Sequence, residues 1–188
     1  TVANSSQTYG YGGWSEKNNA TGNTVTLTGA AGGNSNYYLN VYGGGGTGSG
    51  KDYVTENLLQ VKGKGNEVYT VGNFEKMKFV LDSNIASGDT MLRGINTTQN
   101  FDWNKIAVKG ITSWAPALSA HGVNIPTLTL YTGSSFTLTN YAPTLVGTAG
   151  DYEFGKKANV TGTGTVSASI LTLDGNRFQN ATETPTTS

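Results

Sequence analysis

The sequence predicts an all-β chain wound as a parallel β-helix, with a β-sandwich as the alternative. Three observations point there. A phrase recurs near the start with a period of about 30 residues, within the range of solenoid repeats. Apolar and polar residues alternate along most of the chain, which marks strands with one buried face. The composition suits strands joined by tight turns: 27 of 188 residues are Gly, while hydrophobic residues make up 36% and charged residues 13%, both low for a globular protein. The 10% aromatic content and zero net charge argue against disorder.

The elements follow in order. The first copy of the phrase is Tyr11-Gly12-Gly13-Trp14, a polar stretch, then Asn23-Thr24-Val25-Thr26-Leu27-Thr28-Gly29. The second is Val41-Tyr42-Gly43-Gly44, a longer Gly-rich stretch, then Asn57-Leu58-Leu59-Gln60-Val61-Lys62-Gly63. Each is an aromatic-Gly-Gly turn, a polar excursion and an alternating strand closed by Gly. Further alternating runs centre on Leu39 and Val41, on Val68, on Met77, Phe79 and Leu81, and on Ile106 and Val108. Later ones hold Leu128 and Leu130, Phe136 and Leu138, and the stretch Val166 to Leu173. Their uneven spacing favours coils with loops of varied length over a sandwich, whose turns recur every 8–12 residues or so. Ser113 to Gly122 breaks the alternation. Pro116 suits the start of a helix and Gly122 the position past its end, so a short helix or ordered loop is predicted near 114–122. One domain is expected over residues 1–179, with the clearest repeats in 9–110 and a less regular capping or continuation in 111–179. The Thr-rich residues 180–188 read as a flexible tail.

Composition also excludes function classes. There are 12 basic and 12 acidic residues, and only Arg93 and Arg177 are Arg, so no clustered basic run marks a nucleic-acid partner. With no Cys there is neither a disulfide framework nor a thiolate metal site. No apolar run reaches the roughly 18 residues that would span a bilayer. Thr1 to Ser6 lack the charged start and apolar stretch of a signal peptide. The chain is therefore read as a fragment, with any export signal or anchor outside it.

Candidate chemistry is sparse. Gly45-Gly46-Thr47-Gly48-Ser49-Gly50-Lys51 fits a phosphate-binding loop until Asp52 replaces the required Ser or Thr, and a strand-like stretch follows where a helix is needed. A single Asp after one Gly run is also too little for a repeated calcium motif. Asp174-Gly175-Asn176 reads as a turn. His121 is the only histidine and reads as the polar end of the short helix. Asp82, Asp89, Asp102, Asp151 and Glu153 are the acids that a glycan hydrolase or lyase could use, but no basic residues accompany them to neutralise an acidic sugar. No catalytic, metal or cofactor residue is assigned. Binding is expected in loops such as Gly43 to Tyr53, with Tyr53 at its end. Among the aromatics, Tyr11 and Tyr42 hold equivalent repeat positions and read as structural, filling the interior or bracing turns. Trp14 and Trp103 do not repeat and are the surface-binding candidates.

Several phrases resemble the passenger repeats of large bacterial (type V) autotransporters. They are Tyr11-Gly12-Gly13-Trp14-Ser15 with Asn19 to Gly29, Asn40 to Gly44, and Val71 to Leu81, with Ser87 to Leu92 placed where such repeats end. The likeness covers residues 9 to about 110, and Leu138 to Leu145 is similar to the section before the translocator. The resemblance implies a right-handed parallel β-helix on the bacterial cell surface, exported across the outer membrane by a translocator barrel outside these residues. It implies an adhesin or structural stalk, non-catalytic and monomeric. The implied partner is a glycan or protein on a host or neighbouring cell, with no nucleic acid and no cofactor. Neither Gly-Asp-Ser-Gly nor Gly-Asp-Ser-Leu, motifs of the enzymatic members, occurs. The alternatives are a polysaccharide-acting enzyme on the same fold and a carbohydrate-binding β-sandwich module.

Overall fold

The computed structural model describes residues 7–29, 38–114, 126–150 and 152–177. They form an all-β chain. Its strands are β1 (Gln7–Ser15), β2 (Thr24–Leu27), β3 (Tyr38–Gly46), β4 (Leu58–Lys62), β5 (Asn66–Gly72), β6 (Lys76–Val80), β7 (Thr90–Thr97), β8 (Phe101–Asp102) and β9 (Ile106–Lys109). After a single helical turn, α1 (Ile111–Trp114), come β10 (Thr127–Tyr141), β11 (Thr144–Ala149), β12 (Tyr152–Ala158) and β13 (Gly164–Arg177).

The strands sort into two sheets. One runs β2-β4-β6-β9 and is parallel throughout. The other runs β1-β3-β5-β7-β10 in parallel, then continues β13-β12-β11 in antiparallel pairs. From β1 to β6 the chain crosses from one sheet to the other at every step. Each strand therefore pairs with the strand two elements later.

The register explains why the alternating sequence was needed. Val25, Leu59, Met77 and Ile106 stand in one row across four strands, and Leu27, Val61, Phe79 and Val108 stand in the next. All but half-buried Val25 are buried, and all belong to one apolar cluster that also takes Val41 and Val71 from the other sheet. The residues between these rows, Thr26, Gln60, Lys78 and Ala107, form a row on the opposite, outward face. A one-residue slip would exchange the two sets, so the pattern fixes the register.

Turns are tied by buried amides. Asn57 is fully buried, and its Nδ2 donates to the carbonyls of Ala20, Tyr53 and Asn73. Its Oδ1 accepts from the backbone N–H and the Nδ2 of Asn23, the residue before the neighbouring strand. Asn66 works similarly, donating to Lys62 O and accepting from Gly29 N. Asn23 and Asn57 lead the strands of the two repeated phrases, and Asn66 opens β5. Asn57 and Asn66 satisfy carbonyls of the segments between strands.

One expectation lies mostly outside the described residues, and another needs correcting. The helix is the one turn Ile111–Trp114, with Ile111 and Trp114 buried; the rest of the predicted 114–122 segment, including Pro116, His121 and Gly122, lies outside the described residues. Asp174-Gly175-Asn176 is not a turn but the interior of β13, paired with Gly155, Phe154 and Glu153 of β12. Gly175 is there for close approach, since a Cβ on it would stand 2.9 Å from Phe154 Cε1.

Candidate functional site

The residues proposed from the sequence have different fates. Trp103 is a core residue, only 1% exposed. It opens a short 3-10 turn, Trp103–Lys105, that links β8 to β9. Its Nε1 donates to Thr144 Oγ1 at 3.0 Å, and its ring meets Tyr141 edge-on with centroids 4.8 Å apart. Lys156 Nζ sits 4.3 Å from its ring centroid. The antiparallel strands supply all these partners and close over Trp103, so it cannot serve as a surface-binding residue.

Tyr53 is half-buried and engaged within its own loop. Its hydroxyl donates to Gly48 O and accepts from Gly48 N, both at 3.0 Å, which holds the Gly-rich excursion in place. Beside it Asp52 accepts from the N–H groups of Val54 and Thr55 and from the Thr55 hydroxyl. The hydroxyl bond, then the two N–H bonds, hold its carboxyl below the ordinary range. The residues that mimic a phosphate loop thus close a turn on themselves.

Trp14 is on the surface, 52% exposed, with Tyr11 at 40% and Tyr9 at 56%. All three lie on β1. Trp14 and Tyr11 meet edge-on with centroids 4.8 Å apart, and Tyr11 stacks on Tyr42 of the neighbouring strand β3 at 5.3 Å and 18°. The parallel register, which sets Tyr11 opposite Tyr42 and Trp14 opposite Gly45, produces this column. Gly45 leaves the space: a Cβ there would stand 2.6 Å from Tyr11 Cε1 and 3.0 Å from Trp14 Cε3. Tyr11 and Tyr42 therefore stack as their equivalent positions suggest, but Tyr11 does so in contact with solvent instead of filling the interior. Burial, then the neighbouring Tyr11, raises the Tyr42 phenol pKa above its ordinary value. Tyr9 donates to Gln7 Oε1 at 2.8 Å. The result is a shelf of exposed rings among hydroxyls and amides. It offers apolar faces and edges for contact.

Three of the acids considered for glycan chemistry are separately engaged. Asp89 pairs with Lys64 at 3.2 Å and accepts from Ala86 N; Asp82 accepts from Asn84 N; Asp102 caps the 3-10 turn and accepts from Asn140 Nδ2. Asp151 lies outside the described residues, while Glu153 lines a small recess with Lys156, Lys157 and Asp174. Among the described residues no three His, Asp or Glu side chains cluster to hold a metal, and no helix is long and apolar enough to cross a membrane.

Sequence reasoning missed Lys156. This lysine of β12 is 6% exposed, and its Nζ donates to the carbonyls of Trp103 and Ile106. Burial pulls its pKa down to about 8, against a partial upward pull from Asp102. Nothing in Gly155-Lys156-Lys157 signals that the first lysine faces inward except the alternation of Tyr152, Phe154, Lys156 and Ala158 on one face. Compared with family models, curated proteins and solved structures, the chain matches none of them.

Proposed function

We propose that this chain is a passenger segment of a bacterial autotransporter, wound as a right-handed parallel β-helix and displayed outside the cell as an adhesin or stalk. The observation that carries the reading is the pairing of each strand with the one two elements on, parallel and in register, over β1 to β6. Such a stack is a stiff rod in which every winding buries its own share of the core and shields its neighbour. It needs no disulfide, which suits a Cys-free chain. Loops on its flank vary in length without disturbing the ladder, as the excursion from Thr47 to Tyr53 does.

Attachment on this reading runs through the β1 shelf. Tyr9, Tyr11 and Trp14 present rings that a sugar or protein side chain can cover, and Tyr42 braces them from below. Each contact is shallow and weak; display of many rods on one surface raises the avidity. The test uses beads coated with the protein on panels of epithelial and bacterial cells. Adherence is expected, and Tyr11→Ala/Trp14→Ala is expected to lower it at least fivefold while leaving the far-ultraviolet spectrum unchanged. Equal adherence of the two proteins, or none from either on any cell, overturns the adhesin reading.

A further inference from the structure

We propose that the outward face of the β2-β4-β6-β9 sheet binds an acidic polysaccharide through Lys62, Lys78 and Lys109. The chain is neutral overall and its lysines look scattered. The parallel register gathers them. Lys62 on β4 stands opposite Val80 on β6, and Val80 stands opposite Lys109 on β9. Lys78 is the next outward residue along β6. With strands about 4.8 Å apart and alternate residues about 6.6 Å apart, the three backbone positions form a triangle with sides of about 8–10 Å. Lys62 and Lys109 are exposed and Lys78 half-exposed.

The other lysines near this face are paired with carboxylates. Lys76 pairs with Glu56, and Lys105 with Glu75 at 3.4 Å. Lys64, beyond the end of β4, pairs with Asp89, and Asp82 past β6 accepts from Asn84 N. Among the described residues, Lys62, Lys78 and Lys109 have no carboxylate within ion-pair distance, which leaves three positive charges on one flat patch. Thr26 and Gln60 lie beside them as hydrogen-bonding groups, with Gln60 Nε2 donating toward Thr26 Oγ1 at 3.5 Å.

The spacing selects the ligand. Duplex DNA carries a charge every 1.7 Å or so along its axis, far denser than these lysines. The patch holds no aromatic ring for base stacking and no Arg, since Arg93 and Arg177 belong to the other sheet. A polysaccharide with one sulfate or carboxylate on every second sugar places sparse charges along a flat ribbon, and Lys engages each as a point charge. The patch lies on a different sheet from the β1 rings, so it stands or falls independently of the adhesin reading.

The test is binding of the full chain to hyaluronate and unsulfated chondroitin, each with one carboxylate on every second sugar, across a salt series, with neutral dextran, single-stranded DNA and duplex DNA as competitors. Wild-type protein should bind the acidic glycans with a logarithmic salt slope of about −2 to −3, roughly 0.7–0.9 per charge by analogy with nucleic acids. Lys62→Gln/Lys78→Gln/Lys109→Gln should weaken binding at least tenfold and flatten that slope. A charge-matched Lys17→Gln/Lys51→Gln/Lys157→Gln control should bind like wild type. Tighter binding of either DNA than of both glycans, equal losses in the two triple variants, or no wild-type retention at low salt would each overturn the proposal.

Discussion

At the residue scale, two buried polar side chains carry testable consequences. Asn57 satisfies three loop carbonyls with one amide and receives two bonds from Asn23. Asn57→Ala leaves those groups dry and unpaired, and each such loss costs about 1–3 kcal/mol. With partial relaxation the expected destabilisation is about 3–4 kcal/mol by urea unfolding; a loss below about 1 kcal/mol would show that the turns hold without it. Lys156 has the opposite character, because its burial disfavours the charge it carries. Its folded pKa of about 8 lies below the 10.5 of the free amine. Between those values the unfolded chain holds more protons than the folded one, so stability rises with pH through that window. Below about pH 8 both states are protonated and the contribution is constant. Measured against Lys156→Met, wild-type protein should therefore gain in relative melting temperature from pH 8 to 10.5 and stay level from pH 6 to 8. A difference that is flat across the whole range would mean the amine is solvated. The Asn that opens each repeated strand was visible in the sequence, although its three-way bonding was not. Lys156 was legible only as an inward position in the alternation of β12, while its carbonyl partners lie about fifty residues away in the chain.

At the scale of the element, glycine separates two kinds of site. A Cβ on Gly43, within β3, would stand 2.1 Å from Asn73 O and 2.6 Å from Asn57 Cβ. Those are backbone and buried atoms that cannot move aside, so Gly43→Ala should cost more than 3 kcal/mol or prevent folding. Gly50 has φ +67° with open space around it, and Gly50→Ala should cost only about 1 kcal/mol of backbone strain. Similar losses at both sites, read by thermal unfolding, would contradict the close packing of Asn73 and Asn57 against β3. The two glycines look alike in the Gly-rich run, and the sequence reading assigned the whole run to a loop. Strand pairing divides it, with β3 extending through Gly46 and the excursion beginning afterwards. Trp103 teaches the same lesson in reverse. A tryptophan that does not repeat suggested a surface, yet the antiparallel strands bury it, and those pairings are set far along the chain.

For the whole molecule, the decisive feature is how the parallel stack ends. β10 pairs in parallel with β7 on one side and antiparallel with β13 on the other, and β12 and β11 follow. These strands supply Leu128, Leu130, Phe136, Leu138, Phe154 and Leu171 to the same apolar cluster as the parallel strands. They also cover the β7 edge, whose unpaired backbone would otherwise invite association. Removing residues 126–188 should therefore yield a protein that aggregates at micromolar concentration by light scattering, while the full chain stays dispersed. A truncated protein that remains dispersed and cooperative would show that the windings need no cover.

Strand content, the positions of most alternating runs and the equivalence of the two repeated phrases were determined by the sequence itself. Period-two patterning is a local property, and it specifies which face of each strand is buried. Tertiary structure alone decided which strands became neighbours. That choice stacked Tyr11 on Tyr42 in solvent, enclosed Trp103 and Lys156, and brought Lys62, Lys78 and Lys109 onto one patch. The physical reason is that lateral register depends on the lengths of the intervening loops and on core packing between sheets, which bring together residues tens of positions apart.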